Sequence, residues 1–357
     1  MNTNVLAPLS IPSPPYDWQA FNIGQWFRDI GLTWFTFDVN IRMYAIAILI
    51  GIVAAVLLTQ RRLTARGAER GIVIDIAIWA VPLGIIGARV FHVLTHPDDY
   101  FGPGKDLWEI IRIDHGGIAI FGGLIGGLIG SIIACRIAGL RLTAWADALA
   151  PGLLLAQAFG RFGNYFNHEL YGQPTDLPWG LEIESTNPAF PAGLPADTLF
   201  HPTFLYEIIW NLLGVALILL LERQWSLQKK TILGITLPVP TGGRVRLHWG
   251  KLIAVYLIWY GLGRTVWETI RVDPSEIFFG IRTNVWAAIF AVALGVLILV
   301  VQSRRHYGLE PSPYVPGRAP KAVVDSAETY SDVEEPGNDA KPKSGDEPAT
   351  SGKGKKS

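Results

Sequence analysis

Apolar residues along the chain fall into long runs that are separated by shorter polar segments. A helix needs roughly 20 residues to cross a bilayer, and seven runs approach that length. The pattern therefore predicts an all-α polytopic membrane protein with seven transmembrane helices. The predicted spans cover residues 42–58, 72–96, 116–135, 144–159, 202–221, 250–267 and 285–301.

The segments outside these runs have their own composition. Residues 1–40 contain prolines and then aromatic rings, which is typical of a segment that lies in the headgroup region, so we expect an extracytoplasmic interfacial segment there. Residues 41–302 would form the seven-helix transmembrane domain, with a small extracytoplasmic subdomain at 165–201. Residues 303–357 are rich in Pro, Ser, Gly and charged residues, which predicts a disordered cytoplasmic tail.

Basic residues are distributed unequally between the connections. The connections at 61–70, 136–141, 222–251 and 302–306 contain 14 Lys and Arg, whereas 1–40, 97–115, 161–203 and 268–283 contain six. Cytoplasmic loops carry the excess of positive charge, so we expect the N-terminus outside and the C-terminus in the cytoplasm.

Composition also limits the chemistry. The formal net charge is zero, so there is no argument for a nucleic-acid partner. Cys135 is the only cysteine and lies in an apolar run, which rules out an intramolecular disulfide and a cysteine metal cluster. The chain has no HExxH motif, no P-loop and no run of aspartates, so we expect neither a metal ion nor a cofactor.

The stretch from Gly160 to Gly172 is polar although it follows an apolar run. Polar groups at the end of a membrane helix are costly unless they bind something or each other. Under the predicted topology they emerge on the outer face, where other polar residues also gather, namely Arg89, His201, Glu207, Arg264, Glu268 and Arg271.

Arginine suits a phosphate oxygen at a membrane surface because its guanidinium is permanently charged, planar and bidentate. Arg161 and Arg264 on different helices could therefore hold a phospholipid headgroup, with Glu268 one helical turn from Arg264 to fix its guanidinium. The alternative from spacing alone is an ion-pair network that holds helix ends together.

The stretch from Gly160 to Gly172, which reads G-R-F-G-N-Y-F-N-H-E-L-Y-G, resembles the signature of the bacterial phosphatidylglycerol–prolipoprotein diacylglyceryl transferases. Similar motifs follow in the family's order across residues 11–303. They are Ile11-Pro12-Ser13-Pro14, Arg42-Met43-Tyr44, Gly87-Ala88-Arg89, Gly122 to Gly126, Asp147, His201 to Glu207, Tyr260 to Arg264, Glu268 and Arg271.

This resemblance implies a seven-span enzyme of the bacterial cytoplasmic membrane whose catalytic domain is 41–302 and whose active site faces outwards. It implies that the diacylglyceryl group of phosphatidylglycerol moves to the lipobox cysteine thiol of a preprolipoprotein, forming a thioether and releasing glycerol 1-phosphate. The partners would be phosphatidylglycerol, the lipobox signal peptide and the bilayer.

The resemblance also implies roles for individual residues. Arg161 matches the family's phosphatidylglycerol-binding arginine and Arg264 its second essential arginine, and Tyr44 and Glu268 complete the candidate catalytic set. The candidate substrate-binding residues are Arg161, Asn164, Glu169, Gly172, Arg264, Arg89, His201, Glu207 and Arg271.

One position departs from the family. Many members have His or Tyr before the Gly-Gly-Leu-Ile-Gly run, whereas this chain has Phe121, which cannot accept a proton. His115, His201 and Tyr44 remain candidate bases, and so does thiolate stabilisation by Arg264 without a base. A different class of function, a phospholipid transporter, would predict internal repeats and broken mid-membrane helices, and the sequence shows no repeat.

Overall fold

A computed structural model describes residues 10–34, 36–113, 116–222, 224–232, 235–243, 247–273, 275–306 and 310–320, with the backbone alone for 224–232 and 235–243. The helices are α1 Ile23–Asp29, α2 Met43–Ala65, α3 Ile72–Thr95, α4 Pro97–Tyr100, α5 Ile120–Ile137, α6 Leu142–Phe166, α7 Thr203–Glu222, α8 Lys251–Ile270 and α9 Thr283–Arg305. Two 3₁₀ turns, Tyr16–Trp18 and Leu107–Ile111, lie in the connections.

The described strands form four antiparallel pairs outside the long helices. They are β1 Ala20–Asn22 with β2 Asn40–Arg42, β3 Leu181–Glu182 with β4 Leu199–Phe200, β5 Gln224–Ile232 with β6 Ile235–Gly243, and β7 Ile277–Phe278 with β8 Ile281–Arg282. The mostly helical class predicted from the apolar runs is confirmed.

Six helices in the described part of the chain are long and apolar enough to cross a membrane, namely α2, α3, α5, α6, α7 and α9. The sixth predicted span does form a helix of 20 residues, α8, but it is not one of these six. Arg264 and Glu268 in its last turns reduce its apolar character. The count of seven spans therefore stays a prediction.

The long helices pack in pairs around α6. Helix α2 lies along α6, α3 along α5 and α8 along α9, while α7 and α8 both contact α6. Glycines allow the closest approach between α3 and α5: a Cβ on Gly87 would overlap the Gly122 carbonyl and lie 3.0 Å from the Gly126 Cα. The glycines Gly122 and Gly126 of α5 therefore allow close packing of the two helices.

Two helices continue past the ends of the predicted spans and include charged residues. Helix α2 includes Arg62, which is buried and donates to the Asp147 and Ala148 carbonyls at 2.7 and 2.5 Å and to Glu222 at 3.0 Å. Helix α6 continues to Phe166 instead of ending at 159. In both helices, partners from other elements satisfy the polar side chains, so the charge does not terminate the helix.

Residues 171–201 form a small subdomain beyond the end of α6. Its core is a cluster of buried apolar side chains, among them Tyr171, Leu181, Ile183 and Phe200, to which Phe204 of α7 is added. The backbone of Ile11 pairs with Leu181, so the N-terminal segment is attached to this subdomain.

The prediction of a disordered chain from residue 303 onwards is wrong for 303–305, which continue α9, and for 310–319. Tyr314 is 2% exposed in a core with Leu63 and Trp145, and its hydroxyl accepts a hydrogen bond from the Glu69 N–H at 3.0 Å. The Thr143 hydroxyl donates to Glu310 at 3.0 Å. Composition missed this segment because a single buried tyrosine and a few polar contacts hold it. The rest of the predicted tail, 307–309 and 321–357, lies outside the described residues.

Candidate functional site

A cavity of about 350 Å³ opens between five of the long helices. Both polar and aromatic side chains surround it, which is unusual within a bundle of apolar helices. The lining residues are Tyr44, Ile120, Gln157, Gly160, Arg161, Asn164, Glu207, Trp210, Asn211, Tyr260, Gly263, Arg264 and Trp267. These residues come from α2, α5, α6, α7 and α8.

Arg161 is held at the cavity by partners on two helices. Its guanidinium lies 2.6 Å from the Glu207 carboxylate of α7 and donates to the Asn164 side-chain oxygen at 3.1 Å. The Asn164 amide in turn donates to Glu169 at 2.9 Å, and Asn167 donates to the same carboxylate oxygen at 3.2 Å. The polar residues between Gly160 and Gly172 therefore orient one another. Of these residues, Arg161 and Asn164 line the cavity, and Arg161 is the charged one.

Arg264 enters the cavity from α8 and is fixed by the predicted pair with Glu268. Their side chains lie 2.9 Å apart, and the Glu268 side chain is fully buried. Asn284 donates to Glu268 at 2.9 Å, and the Arg282 guanidinium lies 3.6 Å from it. The pairing at i, i+4 is confirmed.

Sequence reasoning missed Arg282 and Asn284, which fix Glu268 from the start of α9. Arg282 also donates to the Glu268 carbonyl at 2.6 Å and to the Asp273 carbonyl. Arg282 and Asn284 stand directly before the last apolar run, where a polar residue on the outer face is expected. This position is the signal that the sequence offers for a role at the site. The signal gave no indication of which partner they contact.

Tyr44 reaches the cavity because α6 has no side chain at Gly163. A Cβ on Gly163 would lie 3.1 Å from the Tyr44 Cα and would overlap its ring. The glycine of the signature thus has a steric function, and Tyr44 is placed beside Arg161 and Asn164 on the cavity wall.

Arg89 does not line this cavity. Its guanidinium donates to five backbone carbonyls: Ile110 at 2.8 Å, Gly116 at 2.6 Å, Gly117 at 2.7 Å, Arg112 at 3.4 Å, and Glu109. All five donors of an arginine are used in this way. In this structure Arg89 organises the loop before α5.

His201, Gly172 and Arg271 lie together at the junction with the 171–201 subdomain and do not line the cavity. The Gly172 N–H donates to the His201 carbonyl at 2.9 Å, and Gly172 forms a backbone bridge with Arg271. The Arg271 side chain pairs with Asp273 at 2.7 Å. The His201 ring lies 3.3 Å from the Tyr206 hydroxyl. Their contacts connect the subdomain to α8.

The candidate bases are placed differently from one another. Tyr44 lines the cavity and His201 does not, while His115 lies outside the described residues. Phe121 is 41% exposed and lies beside Phe91, with ring centres 6.2 Å apart.

Among the described residues no group of three His, Cys, Asp or Glu is arranged to hold a metal ion.

Two tryptophans connect α7 to α8 beneath the arginines. The rings of Trp210 and Trp259 stack with centres 4.2 Å apart, and each indole N–H donates to the other residue's carbonyl, at 3.2 and 3.0 Å. A Cβ on Gly263 would overlap the Trp210 indole. This pair fixes the spacing between the helices that carry Glu207 and Arg264.

The chain is similar to known proteins over most of its length. Residues 33–301 match the family described as prolipoprotein diacylglyceryl transferase. The chain is 54% identical over 330 residues to the phosphatidylglycerol–prolipoprotein diacylglyceryl transferase of Leifsonia xyli subsp. xyli, with 90% of each chain covered. The protein of the same name in Paenarthrobacter aurescens is 42% identical, covering 85% of this chain and 87% of its own. The second such transferase of Streptomyces coelicolor is 41% identical, covering 76% and 79%.

Proposed function

Because the chain belongs to the prolipoprotein diacylglyceryl transferase family, we propose that its cavity binds phosphatidylglycerol and that Arg161 and Arg264 hold the lipid phosphate. The protein transfers the diacylglyceryl group of phosphatidylglycerol to the lipobox cysteine of a preprolipoprotein. The thiol sulfur forms a thioether, and glycerol 1-phosphate leaves. The observation that supports this proposal is the position of two arginines from different helices on one cavity inside a membrane protein.

The arginines act on the leaving group. Cleavage of the carbon–oxygen bond increases the negative charge on the departing phosphate, so cations fixed beside it stabilise the transition state more than the ground state. Glu268, held by Asn284 and Arg282, keeps the Arg264 guanidinium in place. The nucleophile comes from the peptide, so the enzyme needs no catalytic cysteine of its own.

The alternative of a structural ion-pair network is supported by the same contacts. Arg161 pairs with Glu207 and Arg264 with Glu268, so both arginines do connect helices. Both also face an open cavity, which a purely structural pair does not require. We infer that the pairs compensate the arginine charges in the absence of lipid and leave the guanidinium groups available to a phosphate.

The membrane arrangement follows from the same proposal. We propose seven spans, with α8 as the span that carries Arg264, an N-terminus outside and a C-terminus in the cytoplasm. This places the cavity towards the outer face of the bacterial cytoplasmic membrane and puts residues 41–302 in the catalytic domain. We also propose that Asn164, which lies on the cavity wall, contacts the substrate. We assign Glu169, Gly172, His201, Arg89 and Arg271 to supporting the site.

The direct test supplies purified protein with phosphatidylglycerol and a lipobox peptide, and measures peptide mass and glycerol phosphate release. We expect one glycerol phosphate for each peptide that gains a diacylglyceryl group, and no reaction with a peptide in which serine replaces the lipobox cysteine. A folded protein that moves phosphatidylglycerol between leaflets without modifying the peptide would support the transporter and contradict this function.

A further inference from the structure

A thiol must lose its proton before it attacks carbon, because the thiolate is the nucleophile. Among the described residues that line the cavity, the titratable side chains other than the two arginines are Glu207, Tyr44 and Tyr260. Glu207 is the single carboxylate of that group. It lies in the second turn of α7 and is 6% exposed.

The other carboxylates near the arginines are committed to structural contacts. Glu268 is fully buried and is held by Asn284, Arg264 and Arg282. Glu169 accepts hydrogen bonds from two asparagine side chains. Neither of them lines the cavity, whereas the partner of Glu207 is Arg161, at 2.6 Å, which is the residue proposed to bind lipid.

We propose that Glu207 is the general base that takes the proton from the lipobox thiol, an inference that rests on the transferase function above. The Glu207 carboxylate accepts the proton, and the thiolate sulfur forms a bond with the diacylglyceryl carbon that carries the phosphate. The bond between that carbon and the phosphate oxygen breaks, and its electron pair stays on the oxygen. The proton then passes from Glu207 to the leaving glycerol phosphate or to water.

Lipid binding prepares Glu207 for this role. A phosphate that arrives at Arg161 competes with the Glu207 carboxylate for the same guanidinium. A buried carboxylate without its cation is costly as an anion, and taking a proton removes that cost. The base is therefore released at the moment when the lipid is in place.

The charge balance of the cavity agrees with this order of events. The Glu207 carboxylate lies 2.6 Å from the Arg161 guanidinium, and Arg264 lines the same cavity. When the thiol proton neutralises Glu207, the site becomes more positive by one charge, while the departing phosphate becomes more negative by one. Proton transfer and bond cleavage thus stabilise each other.

The two phenols are poorer acceptors. A tyrosine can accept a proton only after its own hydroxyl has been ionised, whereas a carboxylate accepts one in its ordinary anionic form. Tyr44 and Tyr260 are therefore assigned to the cavity wall, where they can contact the lipid.

The test compares two lipobox peptides, one with cysteine and one with selenocysteine, whose more acidic selenol is ionised at neutral pH and needs no base. Glu207→Gln should lower kcat with the cysteine peptide by about 100-fold or more, which is the usual size of a general-base effect. With the selenocysteine peptide it should stay within about tenfold of wild type, which also shows that the variant is folded. The matched control is Glu268→Gln, which should lower both rates to a similar extent because it disturbs Arg264.

The proposal would be overturned if Glu207→Gln lowered kcat equally with both peptides, or if it did not lower kcat with either. So would selective rescue by selenocysteine of Tyr44→Phe, Tyr260→Phe or Glu268→Gln. If wild-type protein modifies neither peptide, the transferase function itself fails, and this result differs from each of the others.

Discussion

Replacing Arg161 with lysine keeps the charge and removes the planar fork. In the structure the guanidinium contacts Glu207 at 2.6 Å and Asn164 at 3.1 Å while it faces the cavity. An ammonium group can keep the ion pair, but it cannot offer two parallel N–H groups to a phosphate. A hydrogen bond to a charged group contributes about 1.5–3 kcal/mol. Loss of one such bond from the transition state predicts a kcat/KM about 10- to 150-fold below wild type.

The assay follows thioether formation at several phosphatidylglycerol concentrations, with thermal unfolding in detergent as the measure of fold. We expect the melting temperature of Arg161→Lys to stay close to that of wild type, because the pair with Glu207 persists. Arg28→Lys is the matched control: Arg28 pairs with Asp38 at the exposed N-terminal surface, and its kcat/KM should change less than about twofold. Near-normal kcat/KM for Arg161→Lys, or turnover that survives in Arg161→Ala, would refute the assignment of the phosphate to Arg161.

Three further predictions concern the other end of the bundle. Asp147→Asn should lower stability by about 1–3 kcal/mol in thermal unfolding, because the buried carboxylate accepts three N–H bonds at the start of α8; an unchanged melting temperature would contradict this. Truncation after Ala319 should leave melting temperature and activity unchanged. Truncation after His306 should lower the melting temperature, because it removes Tyr314 and exposes the core around it. Equal melting temperatures of the two truncated proteins would refute this prediction. Burial lowers the pKa of His248 to about 4 from an ordinary value near 6.5. The unfolded chain therefore takes up a proton at a higher pH than the folded protein, so the contribution of His248 to stability is complete above about pH 6.5 and is lost as pH falls towards 4. The fall in melting temperature between about pH 6.5 and about 4 should be smaller in His248→Gln than in wild type.

The apolar runs were sufficient to predict most of the architecture. Burial in lipid requires continuous apolar helices, so length and hydropathy alone locate α2, α3, α5, α6, α7 and α9. The same reasoning placed the boundaries wrongly where a charged side chain has a distant partner. Arg62 meets Glu222, which is 160 residues away in the chain, and no local pattern contains that contact.

The segment 310–319 shows a second limit. A composition typical of disorder shows that a segment has too few apolar residues to form a core of its own. It gives no information on whether the segment packs against another part of the chain. Here the connection between α5 and α6 supplies part of that surface: the Arg141 backbone N–H donates to the Pro313 carbonyl at 2.8 Å, and the Leu140 backbone pairs with Tyr314. One tyrosine and a few polar contacts are too weak a signal to find in a sequence, although they hold a short segment once a core is present.

The arginines show why residue type and topology did not suffice to define the site. Arg89 and Arg161 are both expected near the outer ends of spans, and both are charged groups in a costly environment. Arg89 directs its donors to the carbonyls of one loop, so its charge is used to fix backbone. Arg161 contacts two side chains, Glu207 and Asn164, and remains on a cavity wall. Side-chain partners can move when a phosphate arrives, whereas loop carbonyls cannot leave without unfolding the loop. The nature of the partners therefore distinguishes an arginine that can bind a ligand from one that holds the fold.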